Sequence, residues 1–156
     1  MAERFRAAVD GGSRGNPGPA AWGVAVLDAR GEIREGHAGL LGRATNNVAE
    51  YNALLQALEL AASEGAARVE IFCDSELIVR QIQGRYRVKH PDLKPLFAEA
   101  KRRIADFDGF RIMHVRRENN READRLVNVA LDSAEAGAEG DALPIHETYD
   151  PVPDEA

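Results

Sequence analysis

Val9-Asp10-Gly11-Gly12-Ser13-Arg14-Gly15-Asn16-Pro17-Gly18-Pro19 is the stretch around which the chain is read. A run containing Phe5, Ala7, Ala8 and Val9 ends on a carboxylate, and a dense turn of Gly, Pro and Asn follows at once. The glycines supply positive φ or room for a second backbone, and Pro17 and Pro19 fix φ. An acid at a strand end beside exposed backbone N–H groups suits a cation and a phosphate. The same residues equally suit a hairpin turn with a polar residue at its mouth, so the choice rests on the rest of the chain.

Working outward, residues 4–10, 20–27 and 32–41 read as three strands joined by short polar turns, an antiparallel meander. Residues 47–63 place Tyr51, Leu54, Leu55, Leu58, Ala61 and Ala62 at spacings of three and four, which predicts a helix with Thr45 or Asn46 as N-cap. Arg68-Val69-Glu70-Ile71-Phe72-Cys73 reads as a strand ending on Asp74. Because it follows a helix, it is predicted to run parallel to the first strand. Residues 75–83 and 92–106 read as helices around the basic connector Arg85-Tyr86-Arg87-Val88-Lys89-His90. Residues 110–115 read as a fifth strand. A last helix over residues 121–131 turns Ala123, Leu126, Val127, Ala130 and Leu131 inward, and Asn119 and Glu122 before it have capping-box spacing. The order of elements is that of an α/β fold.

A chain of 156 residues with 44% hydrophobic content is expected to form one domain with a sizeable core. The single cysteine, Cys73, excludes an internal disulfide framework and a cysteine-based zinc site. No apolar run is long enough to span a membrane and none near the start resembles a signal segment, so the expected location is cytoplasmic. The net charge of −6 is unevenly spread. Residues 135–156 hold seven of the 26 acids and no Lys or Arg, leaving 19 acids against 20 bases elsewhere, a net +1. The expected organisation is a folded domain over residues 1–134 and an acidic, disordered tail over residues 135–156. A strongly basic footprint is absent.

Four acids stand at element ends beside the core. Asp10 and Asp74 close strands that are predicted to be parallel neighbours, while Glu50 and Asp124 lie in the first turns of helices, each on the border of an apolar stripe. Singly, each has an ordinary structural explanation: Glu50 and Asp124 as helix N-terminal acids, Asp74 as the N-cap of the next helix. Together they would repel one another and raise each other's pKa unless a cation offsets the charge. Mg²⁺ prefers oxygen ligands, and two such ions suit an in-line phosphodiester displacement.

The combined pattern resembles type 1 ribonuclease H. It comprises Asp10-Gly11-Gly12-Ser13-Arg14-Gly15-Asn16-Pro17-Gly18, Thr45-Asn46-Asn47-Val48-Ala49-Glu50, Asp74-Ser75 and Asn120-Arg121-Glu122-Ala123-Asp124. The likeness spans residues 5–132, and Gly84-Arg85-Tyr86-Arg87-Val88-Lys89-His90-Pro91 is similar to the compact bacterial and archaeal branch that lacks the basic handle. The resemblance implies a ribonuclease H-like fold, a five-stranded mixed sheet of three antiparallel strands then parallel ones, flanked by helices. It implies a monomeric endonuclease that cuts the RNA strand of RNA/DNA hybrids, leaving 5′-phosphate and 3′-hydroxyl ends. Asp10, Glu50, Asp74 and Asp124 match the family's catalytic acids, which hold two Mg²⁺ ions, with Mn²⁺ able to substitute. Glu50 would also meet the RNA 2′-hydroxyl, the group that distinguishes RNA from DNA. Gly11, Gly12, Ser13 and Asn16 match contacts to the RNA strand, Asn46, Asn47 and Glu76 the shallow groove, and Arg43 and Thr45 a DNA-strand phosphate. Capping and solvation account equally well for some of these polar residues. One departure stands out. Many members carry a histidine in the loop before the last acid, whereas here the loop is Arg116-Arg117-Glu118-Asn119-Asn120. Arg117 resembles an arginine used there in the compact branch; it suits charge stabilisation and not proton donation.

Overall fold

Alternation along the first strand, β1 (Arg4–Ser13), buries Phe5, Ala7 and Val9 on one face of a central sheet. The computed structural model describes residues 4–135 and 145–148. β1 pairs antiparallel with β2 (Gly18–Leu27), and β2 with β3 (Ile33–Ala44). On its other side β1 is parallel to β4 (Arg68–Cys73), which is parallel to β5 (Gly109–His114). The meander and the parallel crossover are thus as expected.

Helix α1 (Asn46–Ser63) lies on the face carrying Phe5, Ala7, Val9, Trp22, Val24 and Val26. It buries Tyr51, Leu54 and Leu58 there, and each such large apolar side chain stabilises by about 1.5–3 kcal/mol. Ala62, expected inside, is exposed, while Ala53 and Ala57 are buried because α3 (Lys94–Ile104) covers a second side of α1. Thr45 caps α1, its hydroxyl accepting from the Val48 N–H at 3.3 Å. The opposite face of the sheet receives α4 (Arg121–Glu135), which packs Leu126, Val127, Ala130 and Leu131 on Ala21, Ala25 and Ala38.

A sixth strand extends the expected five. β6 (Ile145–Thr148) pairs antiparallel with β3, Ile145 opposite Ala38 and Thr148 opposite Glu35, giving the order β5-β4-β1-β2-β3-β6. The expectation of a structureless tail therefore fails for these four residues and for Glu135, the last residue of α4. Edge strand β3 offers backbone groups that a short extended segment satisfies through its own main chain, without a hydrophobic run to announce it. The other residues of the expected tail lie outside the described residues. Among the described residues no helix is long and apolar enough to cross a membrane.

Candidate functional site

Register brings the first two acids together. The parallel pairing of β1 with β4 ends at Val9 and Cys73, so Asp10 and Asp74 follow it side by side; β1 itself runs on to Ser13 beside β2, so Asp10 lies within the strand and not at its end as expected. Asp74 is not a helix cap. The next helix, α2 (Glu76–Ile82), is capped by the Ser75 hydroxyl, which accepts from the Ile78 N–H at 3.3 Å.

Two glycines bring the helices in. A Cβ at Gly11 would stand 2.2 Å from the Ala49 carbonyl carbon, so only a bare backbone lets α1 set Glu50 against Asp10. Gly23 lies opposite Asp10 in β2, and a Cβ there would stand 2.7 Å from the Ala123 carbonyl oxygen, the residue before Asp124. Both glycines serve close approach. As a result Asp10, Glu50 and Asp74 each offer a carboxylate oxygen within 4.8 Å of the others. Asp124 reaches Asp10 from α4 across a cleft of about 320 Å³, whose lining also includes Gly12, Ser13, Asn46 and Arg117.

The electrostatics record this crowding. Burial, then the charges of Asp74, Glu50 and Asp124, push the Asp10 carboxyl up to about 8. Burial pushes Glu50 up to about 7; Asp74 adds to the rise, while the Ser75 side chain and the Arg117 charge oppose it. Glu50 Oε2 is buried with no hydrogen-bond partner, a loss of about 1–3 kcal/mol for an acceptor left unpaired. Hard carboxylate oxygens, an orphaned acceptor and unbalanced negative charge form a donor set that fits a divalent cation of the Mg²⁺ or Mn²⁺ type.

Behind the acids, Asn120 ties three elements together. Its Nδ2 donates to the Val9 carbonyl at 2.8 Å and to Asp74 Oδ2 at 2.9 Å, and its own carbonyl accepts from the Asp124 N–H. The side chain is 2% exposed, so it braces Asp74 from within the fold.

A family model described as reverse transcriptase-like matches residues 8–130. The ribonuclease HI of Halobacterium salinarum is 44% identical over 131 residues, which cover 84% of this chain and 66% of that protein. The crystal structure of the ribonuclease H1 of this archaeon superposes with a TM-score of 0.80, covering 83% of this chain and 98% of that one. This chain belongs to the type 1 ribonuclease H family. A further member, LC11-RNase H1, crystallised in complex with an RNA/DNA hybrid, is 43% identical with a TM-score of 0.80, covering 84% of this chain and 99% of that one. The bifunctional protein Rv2228c of Mycobacterium tuberculosis is 44% identical over 136 residues. Those residues are 86% of this chain and 37% of that protein, so the chain spans little more than a third of this relative.

Within this ribonuclease H fold, the residues matched to substrate contacts divide into two groups. Ser13, Asn16 and Asn46 form one network: Asn46 Oδ1 accepts from the Ser13 N–H at 2.8 Å and its hydroxyl at 3.1 Å, and the Asn46 N–H donates to Asn16 Oδ1 at 3.0 Å. They stiffen the cleft rim, with Gly11 and Gly12 beneath. Arg43 lies apart, exposed beside a smaller cavity of about 240 Å³ with Pro19, Leu40 and Ala134. Thr45 is spent as the α1 cap, Asn47 is half-buried in the first turn, and exposed Glu76 faces Arg80 at 3.7 Å. Arg117 is exposed at the cleft mouth, in a single 3₁₀ turn, Arg117–Asn119. The capping-box reading of Asn119 with Glu122 is displaced by one residue: Asn120 immediately precedes α4, and its amide serves β1 and Asp74 instead. In sequence Asn120 opens the motif that ends on Asp124 but carries no assigned partner; its partner Val9 is 111 positions away.

Proposed function

We propose that the chain is an endoribonuclease that hydrolyses the RNA strand of RNA/DNA hybrids and leaves 5′-phosphate and 3′-hydroxyl ends. The observation that carries this reading is the convergence of Asp10, Glu50 and Asp74 on one point, with Asp124 across the cleft. These four acids would hold two Mg²⁺ ions, with Mn²⁺ as substitute. When bound, the ions supply the positive charge that activates water and stabilises the departing oxygen of an in-line displacement.

The remaining work falls to the chain's own groups. Asn120 holds Asp74 in place, and the Gly11 contact holds Glu50 beside Asp10. Glu50 would meet a 2′-hydroxyl as well as a cation, which would select RNA. Gly11, Gly12, Ser13, Asn16, Asn46, Asn47 and Glu76 would follow the hybrid along the rim, and Arg43 and Thr45 a DNA phosphate. Arg117, exposed at the cleft mouth, balances negative charge there; a guanidinium suits charge stabilisation and not proton donation to the leaving group. The crystallised complex of LC11-RNase H1 with a hybrid supports the substrate class.

The test is cleavage of an end-labelled RNA/DNA hybrid with Mg²⁺ or Mn²⁺. Cutting of the RNA strand that stops in EDTA and in Asp10→Asn is expected. Hybrid binding that persists in EDTA without turnover would show a binding module instead, and equal cutting of free RNA would refute hybrid specificity.

A further inference from the structure

Arg14 belongs to the glycine-rich turn, yet its side chain lies along α4. The guanidinium donates to Asp132 Oδ1 at 2.8 Å, to Asn128 Oδ1 at 3.2 Å and to the Glu135 carboxylate. Asn128 in turn donates through Nδ2 to the Asp124 carbonyl at 3.0 Å. Asp124, Asn128, Asp132 and Glu135 follow one another at spacings of four, four and three, so they form a single polar stripe on α4 that begins at the site acid.

The Arg14 backbone is fixed independently. Its N–H donates to the Pro19 carbonyl at 2.8 Å, and its carbonyl oxygen lies 2.1 Å from where a Gly18 Cβ would stand. Its neighbour Ser13 is tied to Asn46 on α1. The turn is therefore fastened to α1 on one side and to α4 on the other, and the cleft opens between.

The packing beneath α4 explains why such a fastening matters. The buried floor the sheet offers this helix is Ala21, Ala25 and Ala38, with Ala8 and Leu40 partly buried at its margin, so mostly small side chains resist rotation about the helix axis and interdigitation is limited. We propose that Arg14 is a positioning residue: by gripping three groups of one stripe it fixes the roll of α4, and so where Asp124 stands relative to Asp10. This rests on the reading of the cleft as a metal-dependent nuclease site. The ion pairs themselves are exposed, and pairs of this kind contribute about 0–1 kcal/mol each. Their consequence is geometric, since a misplacement near 1 Å at a reacting centre costs about a hundredfold in rate.

Arg14→Ala, Arg14→Lys and the double variant Asp132→Asn/Glu135→Gln test this from both sides of the latch. Two readouts are needed: kcat and KM on the hybrid, and Mn²⁺ binding measured by calorimetry without nucleic acid. Arg14→Ala is expected to lower kcat about tenfold with KM little changed and to weaken Mn²⁺ binding about tenfold. The double variant should move both readouts the same way, and Arg14→Lys should follow Arg14→Ala, because an ammonium cannot span three acceptors. A rise in KM at constant kcat for Arg14→Ala would overturn the proposal by making Arg14 an RNA-strand contact. Unchanged Mn²⁺ binding and kcat in the double variant, or full rescue by lysine, would overturn it too. Failure of the unmodified chain to cut the hybrid would refute the functional reading, while the Mn²⁺ titration would still decide the role of Arg14.

Discussion

α1 and α4 each deliver one acid to the cleft, and the two helices are held by different means. α1 is sunk in the larger core through Tyr51, Leu54 and Leu58, and the Tyr51 hydroxyl donates to the buried Gln81 Oε1 at 2.6 Å. α4 rests on a floor made mostly of alanine, with Leu40 at its margin, and is secured further by exposed polar contacts from Arg14. The acids follow suit: Glu50 is half-buried with its carboxyl pushed up to about 7, while Asp124 is exposed. The deep side thus stores electrostatic strain in fixed positions, and the shallow side supplies an acid that lesser forces place.

The sharpest break falls on the deep side. Asp10→Asn removes the acid that meets the charges of all three others and should lower kcat on the order of 10²–10³-fold. The same change should raise the metal-free melting temperature at pH 8, because a buried, crowded charge is removed. Enzyme assay and thermal melts in EDTA check the two halves.

Next come the two glycines, which compare the helices directly. Gly11→Ala puts a methyl group 2.2 Å from α1 backbone and should destabilise by roughly 3 kcal/mol. Gly23→Ala meets the Ala123 carbonyl at 2.7 Å, but α4 has more freedom to shift, so a cost nearer about 1–2 kcal/mol is expected. Urea unfolding of both variants measures the difference; equal costs would erase the distinction between the helices.

The third prediction concerns pH. Asp10 in the folded chain stands near 8, against an ordinary 3.8, and Glu50 near 7, against 4.5. Between those limits the folded state holds more protons than the unfolded state, so stability is full below about pH 4 and declines as pH rises toward 8. In EDTA the melting temperature of the unmodified chain, relative to Asp10→Asn, should therefore drop by roughly 5 °C from pH 5 to pH 8, and saturating Mg²⁺ should remove most of that drop. The smallest effect is on the α1 cap: Thr45→Ala should cost about 1 kcal/mol in urea unfolding.

Much of this arrangement is legible in sequence because it is local. The β4 bounds, the inward stripe of α4 and the adjacency of Asp10 and Asp74 on parallel strands follow from alternation, helical spacing and the crossover rule, whereas the run of β1 past Asp10 to Ser13 does not. What escapes is long-range. A glycine needed for positive φ and one needed for close approach read alike, and only the packed helices show that Gly11 and Gly23 are the second kind. Asn120 reveals its function only once β1 and α4 meet. Ser13, Asn16 and Asn46 turn out to bond one another, which composition could not separate from exposure to a ligand. β6 is four residues in an acidic, Gly/Pro-containing stretch, and its backbone pairs with the edge that β3 offers.

The central claim is that the crowded carboxylates are a cation site whose protons the cation displaces. Calorimetric titration of the nucleic-acid-free chain with Mg²⁺ near pH 7.5, repeated in buffers of different ionisation enthalpy, measures this directly. Release of about one proton per chain on binding is predicted, lost in Asp10→Asn. Mg²⁺ binding without proton release, or identical release from Asp10→Asn, would contradict it.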